Sequence, residues 1–302
     1  MTTLRQLLAK DQILVCPGVP NPLFARLAAE AGFPAVYTTG AGIANMSLGL
    51  PDIGLTTMSE LLEVNRNVVR SVDVPVIADI DTGYGGVINV RRTVEEFEHA
   101  GVAAVQIEDQ VNPKRCGHFA GKTVVPTEIM VERVVAAVQA RRSEDLLIIA
   151  RTDARQIEGL ASAITRSRAY LAAGADAIFI EAPKTMDELR AIPGEIDAPL
   201  VVNMVEGGVT PIVPASELAA MGYRIVLFAN ALSRLASAAV IRGLETLKEH
   251  GTTTQIAAEM LGWERRQAIV GLPAWQAFEA DVASKASEIS AARPSAREDP
   301  AR

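Results

Sequence analysis

The chain reads as an α/β protein, a (β/α)8 TIM barrel, and three observations carry that reading. Eight short β-rich apolar runs recur along the sequence, with helical periodicity filling the intervals between them. Within the runs the apolar residues are consecutive rather than alternating, as in parallel strands covered on both faces. No GxGxxG follows the first run and no GxxxxGK with Ser or Thr occurs, so the phosphate-binding signatures of open doubly wound sheets, the competing arrangement, are missing.

Taken in order, the predicted strands are ILVCPG from Ile13, AVYTTG from Ala35, VPVIADID from Val74, AAVQIED from Ala103, LLIIARTD from Leu146, AIFIEA from Ala177, LVVNM from Leu200 and IVLFAN from Ile225. Before the third, Thr57 and Glu60 form a capping box that opens a helix with Met58, Leu61, Leu62, Val68 and Val69 on one face. After Pro126, Thr127 is the expected N-cap of a helix with Val131, Val134, Val135 and Val138 at helical spacing. Past the eighth strand, helices are expected around 231–249 and 254–283, and the closing stretch 285–302 reads as disordered.

A length of 302 residues with 49% hydrophobic and 22% charged content suits one large α/β domain, expected over residues 1–284. Lys plus Arg number 29 against 36 Asp plus Glu, so the net charge of −7 offers no basic field to a nucleic acid. No apolar run reaches the length of about 18 residues that spans a bilayer, and the opening MTTLRQLLAKDQ lacks the apolar stretch of a secretory leader. The expectation is a cytoplasmic protein with neither a nucleic-acid nor a membrane partner. The two cysteines, Cys16 and Cys116, lie far apart and argue against a disulfide framework; Cys16 reads as core and Cys116 as a reactive thiol.

Barrel enzymes place their chemistry at the C-terminal ends of strands. Those ends are strongly polar here: Thr39 and Gly40, then Asp79 and Asp81, Glu108 and Asp109, Arg151 and Asp153, Glu181, and Asn203. Carboxylates converging on one mouth repel each other unless a cation joins them. Asp-x-Asp followed by Glu, with no histidine nearby, suits a hard ion such as Mg2+, or Mn2+ in its place, and disfavours zinc. The connection from Gln110 to Pro126 is much longer than the two to six residues usual for a βα loop, which marks it as a lid or binding loop. Inside it lies Lys114-Arg115-Cys116-Gly117-His118, a thiol flanked by potential cations, the surroundings that make a thiol a usable proton donor or nucleophile.

DIDTGYGG from Asp79, IEDQVNPKRCGH from Ile107 to His118, ARTDAR from Ala150 and NMVEGG from Asn203 resemble the isocitrate lyase / phosphoenolpyruvate mutase superfamily. The similarity runs from Leu4 to the helices near Ala283. The Lys-Arg-Cys-Gly-His loop is similar to that of the branches holding 2-methylisocitrate lyase, 2,3-dimethylmalate lyase and carboxyvinyl-carboxyphosphonate phosphorylmutase. The resemblance implies a barrel whose last helices are exchanged with a neighbouring subunit, in a homotetramer built as a dimer of swapped dimers. It implies Mg2+ held by Asp79, with Asp52, Asp81 and Glu108 acting directly or through water. It further implies that Thr39, Gly40 and Ala41 contact an α-keto acid, that Arg151, Glu181 and Asn203 hold substrate carboxylate and hydroxyl groups, and that Gly207, Gly208 and Thr210 line a second carboxylate pocket. Two departures border the substrate: Thr39-Gly40-Ala41 in place of Ser-Gly-Gly, and Phe228-Ala229-Asn230-Ala231-Leu232-Ser233 in place of a Tyr-Pro-Leu-Ser-like stretch.

The chemistry expected is retro-aldol cleavage of a small-molecule 2-hydroxy di- or tricarboxylate into an α-keto acid such as pyruvate and a carboxylate enolate. Cys116 gives the enolate its proton, while Lys114, Arg115 and His118 offset its charge. Three alternatives stand beside it. A phosphorylmutase shares the scaffold and, in one branch, the Cys loop. An oxaloacetate decarboxylase or hydrolase needs no proton-donating Cys in the lid. A non-enzymatic barrel would keep costly buried carboxylates for nothing.

Overall fold

Eight parallel strands close on themselves in the computed structural model, which describes residues 2–117, 119 and 121–291. They are β1 (Leu14–Val19), β2 (Val36–Thr38), β3 (Val76–Asp79), β4 (Ala104–Glu108), β5 (Leu147–Thr152), β6 (Ala177–Ile180), β7 (Leu200–Asn203) and β8 (Ile225–Phe228). All eight apolar runs are therefore strands. Each pairs with the next, and Leu14 of β1 stands beside Ile225 of β8, so the sheet has no edge.

The helices up to the fourth strand are α1 (Leu4–Leu8), α2 (Pro22–Glu30), α3 (Gly40–Ser47), α4 (Met58–Val69) and α5 (Val87–Ala100). Then come α6 (Thr127–Ala140), α7 (Ala154–Glu158), α8 (Leu160–Ala172), α9 (Met186–Glu195), α10 (Ala215–Met221), α11 (Ala231–His250), α12 (Trp263–Ile269) and α13 (Leu272–Ala291). Local chemistry sets several starts. Thr3 with Gln6 and Thr57 with Glu60 form capping boxes, and Asn21, Thr39 and Thr185 cap α2, α3 and α9 with their side chains.

Two expectations about helix faces need correction. Pro126, not Thr127, stands at the N-cap of α6. That helix is also turned so that Arg133 is buried and Val135 exposed, because the Arg133 guanidinium reaches under the sheet to the carbonyls of Glu108 (3.2 Å) and Gln110 (3.3 Å). In α4 the face is Leu61, Leu62 and Val68 as expected, joined by buried Asn65, whose Oδ1 accepts from Thr38 Oγ1 at 2.6 Å.

Two apolar layers hold the barrel. Between sheet and helices lie Ile43, Ile80, Phe97, Ile107, Ile148 and Tyr170, among others. Inside the barrel lie Leu14, Cys16, Tyr37, Ile77, Ile149, Phe179 and Leu227, with Leu4 and Leu7 of α1 in the same cluster. Cys16 is fully buried, as expected for a core residue, and burial pushes its thiol up to about 12.

The chain divides into two compact units, Met1–Glu245 with the barrel and Thr246–Arg302. In the second, the described residues form a 3-10 turn (Thr254–Glu259), α12 and α13. The helix α13 continues to Ala291, so 285–291 are helical rather than disordered; the remainder of the expected tail lies outside the described residues. Within the barrel unit, Ser233 of α11 is buried, whereas Leu235, Val240, Ile241 and Leu244 are exposed. An apolar groove of about 440 Å³ lies against α2, lined by Val15, Pro17, Phe24, Phe33 and Phe228. Among the described residues no helix is long and apolar enough to cross a membrane.

Candidate active site

The site follows from strand periodicity. Successive residues of a strand face opposite sides, so a residue two positions beyond an inner-core residue faces inward one step higher. The steps Ile77 to Asp79, Gln106 to Glu108, Ile149 to Arg151, Phe179 to Glu181 and Val201 to Asn203 therefore stack a polar layer on the apolar interior. The layer beneath is tied to it: Gln106 Nε2 donates to Tyr37 Oη at 3.1 Å, and Tyr37 Oη donates to Asp79 Oδ2 at 3.1 Å. Tyr37 and Gln106 look like ordinary strand residues in sequence, and only their inward parity could have singled them out.

At the mouth, Asp79 Oδ2 also accepts from the Gly40 amide at 3.3 Å, and Asp79 Oδ1 from the Asp81 amide at 3.1 Å. Lys114 is buried, with Nζ 2.8 Å from Asp81 Oδ1 and paired with Asp52. Glu108 Oε2 faces Arg151 Nε at 3.3 Å, while Glu108 Oε1 is buried without a hydrogen-bond partner. Arg151 lies over the Phe179 ring at 5.2 Å and donates to Asp153 Oδ2 from Nε at 2.9 Å and to Oδ1 from Nη2 at 3.1 Å. Burial pushes the Asp81 carboxyl up to about 6 against the pull of Lys114, and pushes Glu108 well above the usual carboxylate range against that of Arg151. Burial works against the charge on Lys114 too, but Asp81 and Asp52 outweigh it and hold the ammonium well above its usual range.

A narrow cavity of about 30 Å³ lies at the mouth, lined by Thr39, Ala41, Asp52, Asp79, Cys116, Arg151, Glu181 and Asn203, among others. Outside it opens a cleft of about 570 Å³ lined by Ala41, Asp52, Cys116, Phe119, Gly207, Gly208 and Arg234, among others. Cys116 borders both. Its amide donates to Asp52 O at 3.2 Å, which ties the long loop to the segment after α3. The loop is down: a Cβ on Gly117 would lie 2.5 Å from Arg151 Nη2 and 2.7 Å from Glu181 Cδ, so only glycine fits there.

Other expected residues stand elsewhere. Arg115 is exposed and lines neither cavity, Lys114 is committed to Asp52 and Asp81, and His118 lies outside the described residues. Thr210 is buried with no hydrogen-bond partner for Oγ1, away from both linings.

The residues fit a divalent ion. Six carboxylates, Asp52, Asp79, Asp81, Glu108, Asp153 and Glu181, meet three cations, Lys114, Lys122 and Arg151, which leaves negative charge over. Gly40 leaves room beside two of them: a Cβ there would sit 3.1 Å from Asp79 Oδ2 and 3.3 Å from Asp81 Oδ1. Among the described residues no three Asp, Glu, His or Cys side chains close on a single point, so an ion here would need water or substrate oxygens to complete its shell.

A closed (β/α)8 barrel with buried carboxylates and an arginine at the C-terminal mouth, and a thiol lowered onto them by a loop, defines an enzyme of small carboxylic acids. The chain belongs to the phosphoenolpyruvate phosphomutase family, whose sequence pattern matches residues 4–248. It is 44% identical to a 2-methylisocitrate lyase of Aeropyrum pernix over 97% of this chain and 94% of that protein. It is 42% identical to a 2,3-dimethylmalate lyase of Eubacterium barkeri over 89% of this chain and 93% of that protein. Among solved structures, an oxaloacetate acetylhydrolase in complex with the inhibitor 3,3-difluorooxalacetate superposes with a TM-score of 0.88 at 37% identity, covering 94% of this chain and 96% of that one. The chain is thus a carbon–carbon lyase of the isocitrate lyase / phosphoenolpyruvate mutase superfamily.

Proposed function

We propose that the protein cleaves the C2–C3 bond of a 2-hydroxy di- or tricarboxylate of the 2-methylisocitrate or 2,3-dimethylmalate type, giving an α-keto acid such as pyruvate and a second carboxylate. The observation that carries this is the place of Cys116, which borders both the inner cavity with its Asp79, Arg151 and Asn203 side chains, the groups that would meet the keto acid half, and the outer cleft that would take the departing half. On this reading Asp79, Asp81, Glu108 and Asp52 hold Mg2+ or Mn2+, directly or through water. Such an ion, when bound, would supply Lewis-acid polarisation of substrate oxygens. Arg151, Asn203 and Glu181 orient the keto acid half beside Thr39, Gly40 and Ala41, and Gly207 and Gly208 lie along the departing half. When a general base takes the hydroxyl proton, the oxygen closes to the C2 carbonyl as the C2–C3 electron pair moves to the departing carbon, and the Cys116 thiol gives that carbon its proton and becomes a thiolate, leaving the base protonated. His118 and Arg115 are left as loop residues that offset charge.

The test is a panel of 2-methylisocitrate, 2,3-dimethylmalate, isocitrate, oxaloacetate and phosphonopyruvate with Mg2+. Keto acid release from one of the first two, at the highest kcat/KM of the panel, is expected. A preference for oxaloacetate hydrolysis, or phosphorus transfer from phosphonopyruvate, would overturn the lyase reading in favour of an alternative on the same scaffold.

The same reading places the enzyme in the cytoplasm as a homotetramer of helix-exchanged dimers. The apolar groove against α2 supports it, as do Trp263, Trp275 and Phe278, each at least 63% exposed in the C-terminal unit. Sedimentation at micromolar concentration is expected to give the tetramer; a monomer there would sink helix exchange.

A further inference from the structure

We propose that Lys122, from the far side of the loop, is the positioning residue that seats Cys116 over the reacting bond; this rests on the cleavage reading above. The Lys122 side chain is 1% exposed, and its ammonium bridges two partners: Asp153 Oδ1 at 2.6 Å, and the carbonyl of Gly117, the residue after the thiol. A buried ammonium is costly unless its partners are good ones, and here both are fixed. Asp153 cannot yield, because Arg151 donates to both its oxygens, at 2.9 Å and 3.1 Å, and its own amide donates to Asp109 Oδ1 at 2.9 Å. Asp109 is gripped in turn by Thr152 Oγ1 at 2.6 Å and Tyr170 Oη at 2.8 Å.

Lys122 itself stands on firm backbone. The next residue, Thr123, accepts from the Val111 amide at 2.9 Å, and Gln110 bridges to Val124, so the two ends of the loop are joined. The thiol is therefore held from two sides. On one, the Cys116 amide donates to Asp52 O at 3.2 Å; on the other, Lys122 pulls the Gly117 carbonyl toward the top of β5. Asp153 links this bolt to Arg151, so the group that grips the keto acid half and the group that protonates the departing half share one anchor. A lysine needed only for the fold would pair with Asp153; this one also reaches across the loop to the backbone beside the thiol.

The experiment compares wild type, Lys122→Met and Gly117→Ala, with Cys116→Ser as the alkylation blank. Without any substrate, iodoacetamide should alkylate Cys116 at least about tenfold faster in Lys122→Met than in wild type. In turnover, kcat should fall roughly 10- to 100-fold, the scale of one charge-assisted hydrogen bond and of an ångström-sized misplacement, with KM within about threefold. Gly117→Ala keeps the Lys122–Asp153 pair but pushes the loop off Arg151, and should reproduce both effects. A folded Lys122→Met with wild-type alkylation and kcat overturns the proposal. If Lys122→Met does not fold, Lys122→Gln, which keeps a donor but not the charge, decides in the same two readouts. Failure of wild type to cleave any substrate would instead overturn the cleavage reading, and the alkylation comparison would still judge the seating of the loop.

Discussion

Exhaustive chelation is expected to abolish turnover, and Mg2+ or Mn2+ to restore it. The expectation comes from the excess of buried carboxylates over cations at the mouth, the unpartnered Glu108 Oε1, and the room Gly40 leaves beside Asp79 and Asp81. In the metal-free protein, burial raises Asp81 and Glu108, and each regains its charge more easily when a dication is present. Binding to the folded state alone also stabilises it, by about 2.7 kcal/mol at a hundredfold excess over Kd, so Mg2+ should raise Tm by about 4 °C. A calorimetric scan with and without the ion reads this independently of activity. Full activity after chelation, or a Tm indifferent to Mg2+ and Mn2+, would remove the metal.

Cys116→Ser lowers kcat by about 10²- to 10⁴-fold, or about 3 to 5 kcal/mol at 1.36 kcal/mol per decade, while KM stays within a few-fold. The substitution keeps size and polarity but exchanges a thiol, ordinarily near pKa 8.5, for a far weaker acid. On the proposed reading the ground-state contacts come from Arg151 and Asn203, which line the same cavity as Cys116 and are untouched by the substitution. An enzyme that delivers no proton from the loop, such as a mutase or a decarboxylase, would lose less than about tenfold. Near-complete cleavage activity in the serine variant would therefore take the thiol out of the mechanism.

The barrel was legible because its signals are local. A parallel strand buried on both faces announces itself by consecutive apolar residues, and parity alone carries Asp79, Glu108, Arg151, Glu181 and Asn203 to the mouth. What escaped was decided by distant partners. Lys122 sits in an unremarkable Gly-Lys-Thr stretch and gains its place only because Asp153 lies 31 residues on. Lys114 and Arg115, adjacent in a basic run, separate completely: one is buried between carboxylates and the other points to solvent. Arg133 joins Val134 on the buried face of α6 while Val135 is exposed, because its guanidinium meets the carbonyls of Glu108 and Gln110, which no helical wheel records.

The floor of this barrel is shut, because Leu4 and Leu7 of α1 lie in the same apolar cluster as the strand interiors. Both cavities lie at the opposite mouth, where the loop that carries Cys116 borders them. On the proposed reading the keto acid lies deepest, beside Asp79 and Arg151, with the second carboxylate between it and solvent. Departure is then a queue: the outer fragment leaves first and the keto acid last, and when the bond is made rather than broken the keto acid must be first to enter.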